Sequence, residues 1–217
     1  MKLYSGDLSP YSARVRMQIY AKGITGIALE RPPGFPGAGF AELNPLARIP
    51  ALDLGGDVIP ESDVIAEYLE EIYPEPSLLG SNPRETALVR TVARIGDIYL
   101  MNNIFMCLPQ ARRASRNDGI RDLLTGQVVR GMKALEHYIG DRGFAVGDRL
   151  SLADCSLTPA LFLVDNVFET FDVENPIPSC PKTASYWAAI QTNEHAARTL
   201  VELHRGLEER RALMRAS

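Results

Sequence analysis

The first residues of the chain combine a short apolar run with a helical spacing of apolar positions. We predict a strand from Lys2 to Tyr4 and a helix from Pro10 onward. Ser9 is a favourable N-cap, and proline suits the first helical position, where its missing N–H would have no partner. Gly23 is the expected stop, because glycine adopts the left-handed conformation that ends many helices. The apolar stripe of this helix recurs at every fourth residue: Tyr11, Val15 and Ile19.

Short strands separated by turns are predicted next. A second strand is expected from Ile27 to Leu29. The segment RPPGFPGAGF, residues 31–40, holds three prolines and three glycines, which exclude a long regular element. The runs IPALDL and DVIP flank Gly55-Gly56, and two glycines accept the positive φ of a tight turn. This pattern predicts a β-hairpin.

A helix with one apolar face follows the hairpin. We take Ser62 as its N-cap and Pro74 as the residue that ends it. Its apolar residues share one side of the helix: Val64, Ile65, Tyr68, Leu69 and Ile72. The predicted order is therefore β-α-β, a loop, then β-β-α, which forms an α/β domain over residues 1–79.

The pattern changes after the segment PEPSLLGSNP, and no further strand is predicted. One long helix is expected from Arg84 to near Leu108, and a second from Asp118 to Ile139. Ser151 and Asp154 form a capping box, in which the acid reaches back to the N-cap of a third helix. Two more helices are expected between Lys182 and Arg215. Residues 84–217 are thus predicted to be an all-helical domain.

Charge and composition exclude several classes of function. A net charge of −4 argues against nucleic-acid binding, which requires a basic face. Three widely spaced cysteines indicate reduced thiols in the cytoplasm, and neither they nor the histidines have the spacing of a metal site. No apolar run reaches the length of a membrane span or a signal peptide. We therefore expect a cytoplasmic protein without a metal, a membrane partner or a nucleic-acid partner.

Several motifs together resemble one family. The segment NPLARIPALDLGGDVIPESDVIAEYLEEIYP is similar to the glutathione-binding half of the cytosolic glutathione S-transferase superfamily, and the S-x-A-D box of the helical half also matches. The resemblance covers essentially the whole chain. It implies a thioredoxin-like N-terminal domain, a helical-bundle C-terminal domain, and glutathione as co-substrate.

The resemblance also assigns residues to glutathione. It implies a cis Ile49-Pro50 bond, with the backbone of Ile49 pairing with the cysteinyl part of the ligand as an added strand would. Glu61 and Ser62 stand where the family binds the γ-glutamyl end, at a helix N-terminus that favours a carboxylate. Arg48 is a candidate for the glycyl carboxylate, and Arg31 is an alternative.

The segment SPYSARVR, residues 9–16, holds the candidate activating group. It resembles the zeta class, in which serine opens the helix, and omega-like proteins, which carry Cys-Pro at this point. By either alignment Ser9 is the catalytic residue, a hydroxyl that donates to the glutathione thiolate. Ser12 and Tyr11 are the alternatives. Ser9 and Ser62 could also serve only as helix caps, and both roles remain open here.

The family resemblance places an electrophile site over the cleft between the two halves. Its expected wall residues are Tyr11, Met101, Asn102, Phe105 and Met106. The basic segment ARRASR, residues 111–116, could attract anionic substrates or be a solvated turn. The resemblance further implies a homodimer with the long helix at its interface, where Asp97 could reach the γ-glutamyl ammonium of the partner's ligand.

Four functions compete at this point. The first is conjugation of glutathione to a small hydrophobic electrophile. The second is a glutathione-dependent isomerase of maleylacetoacetate or maleylpyruvate, favoured by the S-x-R-V-R pattern but weakened by Pro10-Tyr11, with ether cleavage or dehalogenation as a related activity. The third is a non-catalytic interaction module. Glutaredoxin-like disulfide chemistry is disfavoured because positions 9 and 12 lack cysteine.

Overall fold

A computed structural model of the chain describes residues 1–34, 38–112, 114 and 116–216. Their contacts divide the chain into two compact units. The first unit contains Met1–Leu78 together with the part of the last helix from Ala197 onward, and the second unit contains Leu79–Ala196. The predicted domains, residues 1–79 and 84–217, therefore differ from these two units at the C-terminal helix, most of which belongs to the first unit.

The first unit is built on a four-stranded mixed sheet in the order β2-β1-β3-β4. The strands are β1 (Lys2–Tyr4), β2 (Ala28–Glu30), β3 (Ala51–Asp53) and β4 (Val58–Pro60). β1 pairs with β2 in parallel and with β3 antiparallel, and β3 pairs with β4 antiparallel. The hairpin turn is formed by the predicted glycines, with φ 98° at Gly55 and 143° at Gly56. This is the thioredoxin-like arrangement that the element order predicts.

Within the described residues of Met1–Leu78, three helices accompany this sheet: α1 (Pro10–Ala21), α2 (Ala38–Ala41) and α3 (Ser62–Ile72). The short helix α2 was not predicted, and residues 35–37 of the same proline- and glycine-rich segment lie outside the described residues. Burial of the apolar faces of α1 and α3 against the sheet forms the core. Its buried members are Leu3, Val15, Ile19, Ile27, Leu52, Ile65 and Leu69.

Among its described residues, the regular elements of the second unit are all helices. Its α-helices are α4 (Pro83–Ile95), α5 (Asn102–Cys107), α6 (Asp118–Tyr138), α7 (Leu152–Val167) and α8 (Pro181–Ile190). Short 3₁₀ segments occur at Leu108–Ala111, Phe168–Phe171 and Ile177–Ser179. The capping box predicted at the start of α7 is confirmed.

The predicted long helix is not regular along its length. Between α4 and α5 the chain forms a π-helical segment, Gly96–Met101. The side-chain amide of Asn103 donates to the carbonyls of Ile98 at 2.8 Å and Tyr99 at 3.0 Å. Because a π turn displaces carbonyl groups from their usual donors, these bonds help to satisfy the widened turn.

The last helix, α9 (Glu194–Ala216), explains why the contacts do not follow the predicted domain boundary. From Ala197 onward it packs with the first unit, where Glu202 pairs with Arg16 at 2.7 Å. A Cβ built on Gly206 would lie 2.6 Å from the backbone nitrogen of Leu8, so glycine is required for this close approach. Among the helices of the described residues, none is long and apolar enough to cross a membrane.

Candidate active site

The N-terminus of α1 carries the serine predicted to activate glutathione. Ser9 is the N-cap, as predicted, with φ −78° and ψ 112°, and its Oγ accepts a hydrogen bond from the Ser12 N–H at 3.2 Å. Ser9 is half-buried. A hydroxyl that accepts one bond still carries its own proton, so Ser9 can donate to a further acceptor.

Ser12 lies in a different environment, although it is only one turn away. It is 0% exposed, and its Oγ has no hydrogen-bond partner among the described residues. A fully buried hydroxyl has no accessible surface against which a ligand sulfur could rest. Tyr11, the other alternative, is half-buried and retains part of its surface.

The predicted cis peptide bond at Ile49-Pro50 is confirmed. Ile49 is half-buried and packs against Tyr4, Phe40 and Ala51. Its backbone N–H and C=O have no hydrogen-bond partner within the described part of the chain, which leaves both groups able to pair with an extended peptide. A Cβ built on Gly6 would lie 3.0 Å from Ile49 Cδ1, so this segment adjoins the loop that leads to Ser9.

The N-terminus of α3 differs from its prediction in one respect. Ser62 is the first helical residue rather than the N-cap, and Glu61 occupies the N-cap position. Glu61 has φ 65° and ψ 115°, is exposed, and makes no side-chain cap bond. A non-glycine residue in this conformation is strained, and such strain is concentrated at functional sites. The side chain of the N-cap residue, Glu61, therefore does not cap the first turn of α3.

Sequence reasoning missed the residue that holds Ser62. The Arg14 guanidinium, which is almost fully buried, donates to Ser62 Oγ at 3.2 Å and pairs with Asp63 Oδ1 at 3.2 Å. Because Ser62 Oγ accepts from a cation, its own proton remains able to donate to a ligand carboxylate. The S-x-R-V-R pattern drew attention to Arg14, but its contact with a residue 48 positions away has no local signal.

The two candidates for the glycyl carboxylate are both exposed. The carbonyl of Arg48 accepts from Asn44 Nδ2 at 2.8 Å, and Asn44 Oδ1 accepts from the Leu46 N–H at 3.1 Å, which fixes the backbone of this loop. Arg31 has a solvent-exposed side chain 3.9 Å from Glu209. Among the described residues, neither arginine is held in a fixed position by a close ion pair, and their assignment stays a prediction.

The four wall residues predicted from the second unit differ in accessibility. Met101 is fully buried and has no surface to offer a substrate, whereas Asn102, Phe105 and Met106 are exposed. Asp97, predicted to reach a partner's ligand, pairs with Arg94 at 2.6 Å. Within the basic segment, residues 113 and 115 lie outside the described residues.

One arginine of the basic segment is described with its partner. Arg116 pairs with Asp172 at 2.5 Å and donates through Nε to the carbonyl of Gln110 at 2.8 Å. A guanidinium that is already neutralised by a carboxylate is poorly placed to attract an anionic substrate. For Arg116 the structural role is therefore the better supported of the two readings.

Tyr4, near the end of β1, is a further group whose suitability as an activating group can be judged from its contacts. Tyr4 donates to Asp53 Oδ2 at 3.2 Å, and burial, followed by this carboxylate, raises the pKa of Tyr4. A phenol that resists ionisation and is already committed to a carboxylate is poorly suited to receive a thiol proton. The described residues contain no group of three or more histidine, cysteine or acidic side chains able to hold a metal.

Three features of the first unit can therefore act on one extended peptide. The N-terminus of α1 offers the Ser9 hydroxyl, the segment at Ile49 offers unpaired backbone groups, and the N-terminus of α3 offers Ser62 with its positive helix dipole. Such a set suits a short peptide with an acidic end and a reactive group that gains from a hydrogen-bond donor.

Comparisons with known proteins agree with this geometry. A family model of the glutathione S-transferase N-terminal domain matches residues 3–77, and one of the glutathione S-transferase C-terminal domain matches residues 110–186. Maleylacetoacetate isomerase of Pseudomonas aeruginosa is 35% identical over 178 residues, which cover 76% of this chain and 82% of that protein. A stringent starvation protein A homolog of Coxiella burnetii is 30% identical over 164 residues, covering 75% of each chain.

A solved structure extends the match in three dimensions. The holo form of a maleyl pyruvate isomerase, a bacterial glutathione S-transferase of the zeta class, is 26% identical and superposes with a TM-score of 0.75, covering 92% of this chain and 96% of that one. The family models, the relatives and the fold together show that the chain belongs to the cytosolic glutathione S-transferase superfamily.

Proposed function

We propose that this protein is a glutathione-dependent cis–trans isomerase that acts on a small dienoate of the maleylacetoacetate or maleylpyruvate type. The observation that carries the proposal is the 35% identity with maleylacetoacetate isomerase of Pseudomonas aeruginosa over 178 residues. A zeta-class maleyl pyruvate isomerase shares the fold, and the S-x-R-V-R pattern at residues 12–16 agrees with the same class. Isomerisation is therefore better supported than conjugation, which the sequence alone placed first.

Glutathione would bind along the first unit. The unpaired backbone of Ile49 suits the cysteinyl residue, and the N-terminus of α3 suits the γ-glutamyl carboxylate. Ser62 would donate its proton to that carboxylate while Arg14 holds its oxygen at 3.2 Å. The exposed carboxylate of Glu61 would pair with the γ-glutamyl ammonium, and Arg48 is the proposed partner of the glycyl carboxylate.

Ser9 would keep the sulfur ionised. A thiol with an ordinary pKa of about 8.5 is only a few per cent thiolate near neutral pH. A hydroxyl that donates to the sulfur, together with the positive end of α1, favours the thiolate and lowers its pKa. The accessibility of Ser9 and the complete burial of Ser12 favour Ser9 as this donor.

The proposed reaction would not consume glutathione. The thiolate adds to one carbon of the cis double bond, and the electron pair moves into the conjugated carbonyl as an enolate. The former double bond is now a single bond and rotates. The enolate re-forms the double bond in the trans geometry and expels the thiolate unchanged.

A Ser9→Ala variant tests this mechanism with a cis-dienoate substrate. We expect glutathione binding, measured by calorimetry, to remain within about threefold, and turnover to fall by about 100-fold, because removing a charge-stabilising donor costs about 2.7–4 kcal/mol in comparable sites. Ser12→Ala is the matched control and should keep its turnover. Unchanged turnover in Ser9→Ala would reject Ser9 as the donor.

The second candidate function is conjugation of glutathione to an electrophile, which membership of the family and the same serine favour. The two reactions differ in their balance: a transferase consumes one glutathione for each product, whereas an isomerase consumes none. Titrating free thiol during turnover of a cis-dienoate and of an aryl halide therefore distinguishes them. Loss of thiol with the aryl halide and no turnover of the dienoate would favour the transferase.

A non-catalytic role remains as the third candidate, since one relative is a stringent starvation protein A homolog, whose name refers to starvation rather than to a reaction. Retention of Ser9, Ile49-Pro50 and Ser62 argues for glutathione chemistry instead, because a scaffold has no need of that set. Failure to bind immobilised glutathione, with no thermal shift on its addition, would overturn both enzymatic proposals. The predicted homodimer is tested separately by light scattering in solution.

A further inference from the structure

Arg16 places a fully buried positive charge directly behind the loop that leads to Ser9. Its Nη1 donates to Ser5 Oγ at 2.7 Å and to the carbonyl of Gly6 at 2.9 Å, and its Nη2 donates to the carbonyl of Asp7 at 3.1 Å. The third nitrogen, Nε, donates to Glu202 Oε2 at 2.7 Å. One guanidinium thus holds three consecutive residues between β1 and α1.

This loop determines where the Ser9 hydroxyl lies. The Ser9 N–H donates to the carbonyl of Gly6 at 3.1 Å, and that carbonyl also accepts from Arg16. The backbone of the N-cap and the guanidinium therefore share one acceptor. A displacement of Gly6 would move the residue from which α1 begins.

Glu202 supplies the negative charge opposite the buried Arg16. Because a buried guanidinium left without its carboxylate is strongly unfavourable, loss of the Glu202 charge should disturb the position of Arg16. Glu202 is itself held on its other oxygen, which accepts from the Tyr20 hydroxyl at 2.7 Å, and Arg198 lies over the Tyr20 ring at 3.6 Å.

A second contact joins α9 to the same loop. Arg205 pairs with Asp7 at 2.6 Å, so Asp7 is bound through its side chain by α9 and through its carbonyl by Arg16. Gly206 allows the backbone of α9 to approach Leu8. The loop is therefore enclosed by α1 on one side and α9 on another.

We propose that Arg16 and Glu202 are positioning residues, through which the C-terminal helix fixes the Ser9 hydroxyl in the orientation that stabilises the glutathione thiolate. Neither residue touches the ligand; both act through the loop from Ser5 to Leu8. The inference rests on the proposed function, in that it requires glutathione to bind with its sulfur near Ser9. It does not depend on which electrophile or dienoate is the substrate.

The test is the pKa of the bound glutathione thiol in Glu202→Gln, followed by the ultraviolet absorbance of the thiolate across pH. We expect this pKa to rise by about one unit toward the free value of about 8.5, with the dissociation constant of glutathione changed less than about threefold. Turnover should fall about tenfold near neutral pH and recover as the pH is raised, with KM unchanged. Glu202→Asp, which keeps the charge, should restore most of the loss.

Glu70→Gln is the matched control. Glu70 is also the buried carboxylate of an ion pair in the first unit, with Lys22 at 2.9 Å, but it does not contact the loop before Ser9. The Glu70→Gln variant should lower the stability of the fold and leave the pKa of the bound glutathione thiol unchanged. Should Glu202→Gln fold poorly, Arg205→Ala removes an exposed contact to Asp7 and should raise the thiol pKa by a smaller amount.

The outcomes separate the two proposals. A wild-type protein that does not lower the thiol pKa of glutathione would overturn the proposed function, and the positioning role with it. A wild-type protein that lowers it, with the same pKa in Glu202→Gln, would overturn the positioning role alone. An equal rise in Glu70→Gln would show that general destabilisation is responsible, which also rejects the proposal.

Discussion

Two helices of this protein begin at a serine near an acidic residue, yet their N-termini are completed in different ways. At α7 the Ser151 N–H and Oγ both donate to Asp154 Oδ2, at 2.8 Å and 2.9 Å, and Oδ1 of the same carboxylate accepts from the Ala145 N–H at 2.8 Å. At α3 Glu61 is exposed and makes no side-chain cap bond, and Ser62 is bound by Arg14 from another helix.

The difference separates a helix N-terminus that is closed by its own residues from one that we propose binds glutathione. Ser151 and Asp154, at the start of α7, are buried and bound to each other. The start of α3 holds a strained residue and leaves first-turn donors without a side-chain cap. Both N-termini combine a serine with an acidic residue in the sequence. They differ in the partners of those residues, and this difference supports the proposal that α3 is the helix that binds.

The largest effect should come from removing the acid of the structural N-terminus. Asp154→Ala leaves the Ala145 N–H and both Ser151 donors without their acceptor in a buried place. We expect the free energy of unfolding in urea to fall by about 3 kcal/mol, since each unsatisfied buried group costs about 1–3 kcal/mol. A loss below about 1 kcal/mol would mean that water replaces the carboxylate and that α7 is not closed as described.

Exchanging the two serines for alanine should separate binding from stability. Ser62→Ala removes the proposed donor to the γ-glutamyl carboxylate, so we expect glutathione affinity to fall about 10–100-fold, because a hydrogen bond to a charged group contributes about 1.5–3 kcal/mol. Ser151→Ala is the matched control, with about 1 kcal/mol of stability lost and unchanged affinity. Calorimetry and urea unfolding measure both; equal effects of the two variants on affinity would contradict the comparison.

The buried carboxylate of α7 should also give a characteristic pH dependence. Burial raises the pKa of Asp154 to about 6 from an ordinary value of 3.8. A raised acid pKa means that the folded state binds a proton more readily than the unfolded state, so this group adds stability as pH falls. From about pH 7 to about pH 5 the wild type should gain about 1 kcal/mol relative to Asp154→Ala.

Unfolding in urea at the two pH values measures that difference directly. Subtracting the variant removes the contribution of other carboxyl groups, several of which act in the opposite sense because hydrogen bonds lower their pKa, as at Asp53 and Glu85. A difference that shrinks as the pH is lowered would show that the folded state prefers the ionised carboxylate.

The smallest expected effect concerns Glu61, the strained residue at the N-terminus that we propose binds glutathione. Glycine adopts the φ of 65° found at Glu61 without a steric penalty, although it is more flexible when unfolded. We expect Glu61→Gly to raise the free energy of unfolding by about 0.5 kcal/mol while it weakens glutathione binding. Glu61→Ala, which removes the carboxylate and keeps the strain, should bind glutathione equally weakly without a rise in the free energy of unfolding. A rise in both variants would show that relief of backbone strain is not its source.

Local patterns were sufficient to predict the elements that are defined by neighbouring residues. The N-cap Ser9, the turn at Gly55-Gly56 and the capping box at Ser151 each depend on residues within a few positions of one another. The proline that accompanies Ile49 was predicted to be cis by resemblance, and it is. The first three depend on contacts between neighbouring residues, whereas the cis bond was predicted from the family resemblance and not from a local pattern.

The features that the sequence did not reveal depend on distant partners. The π-helical segment Gly96–Met101 keeps helical periodicity, so apolar spacing cannot distinguish it from an α-helix. Ser62 was predicted to be an N-cap, but serine is equally compatible with the first helical position. Only the placement of Glu61 at the N-cap distinguishes the two. The roles of Arg14 and Arg16 require contacts across 48 and 186 positions.

The pairing of Arg16 with Glu202 has a consequence for how the chain is made. A polypeptide leaving the ribosome presents the whole strand-and-helix layer long before residue 202 is added. Until then the buried guanidinium has no anion, so the first unit should form during synthesis only as a loosened intermediate. On the positioning role proposed for this pair, the Ser9 hydroxyl would acquire its final orientation only once Glu202 has reached Arg16.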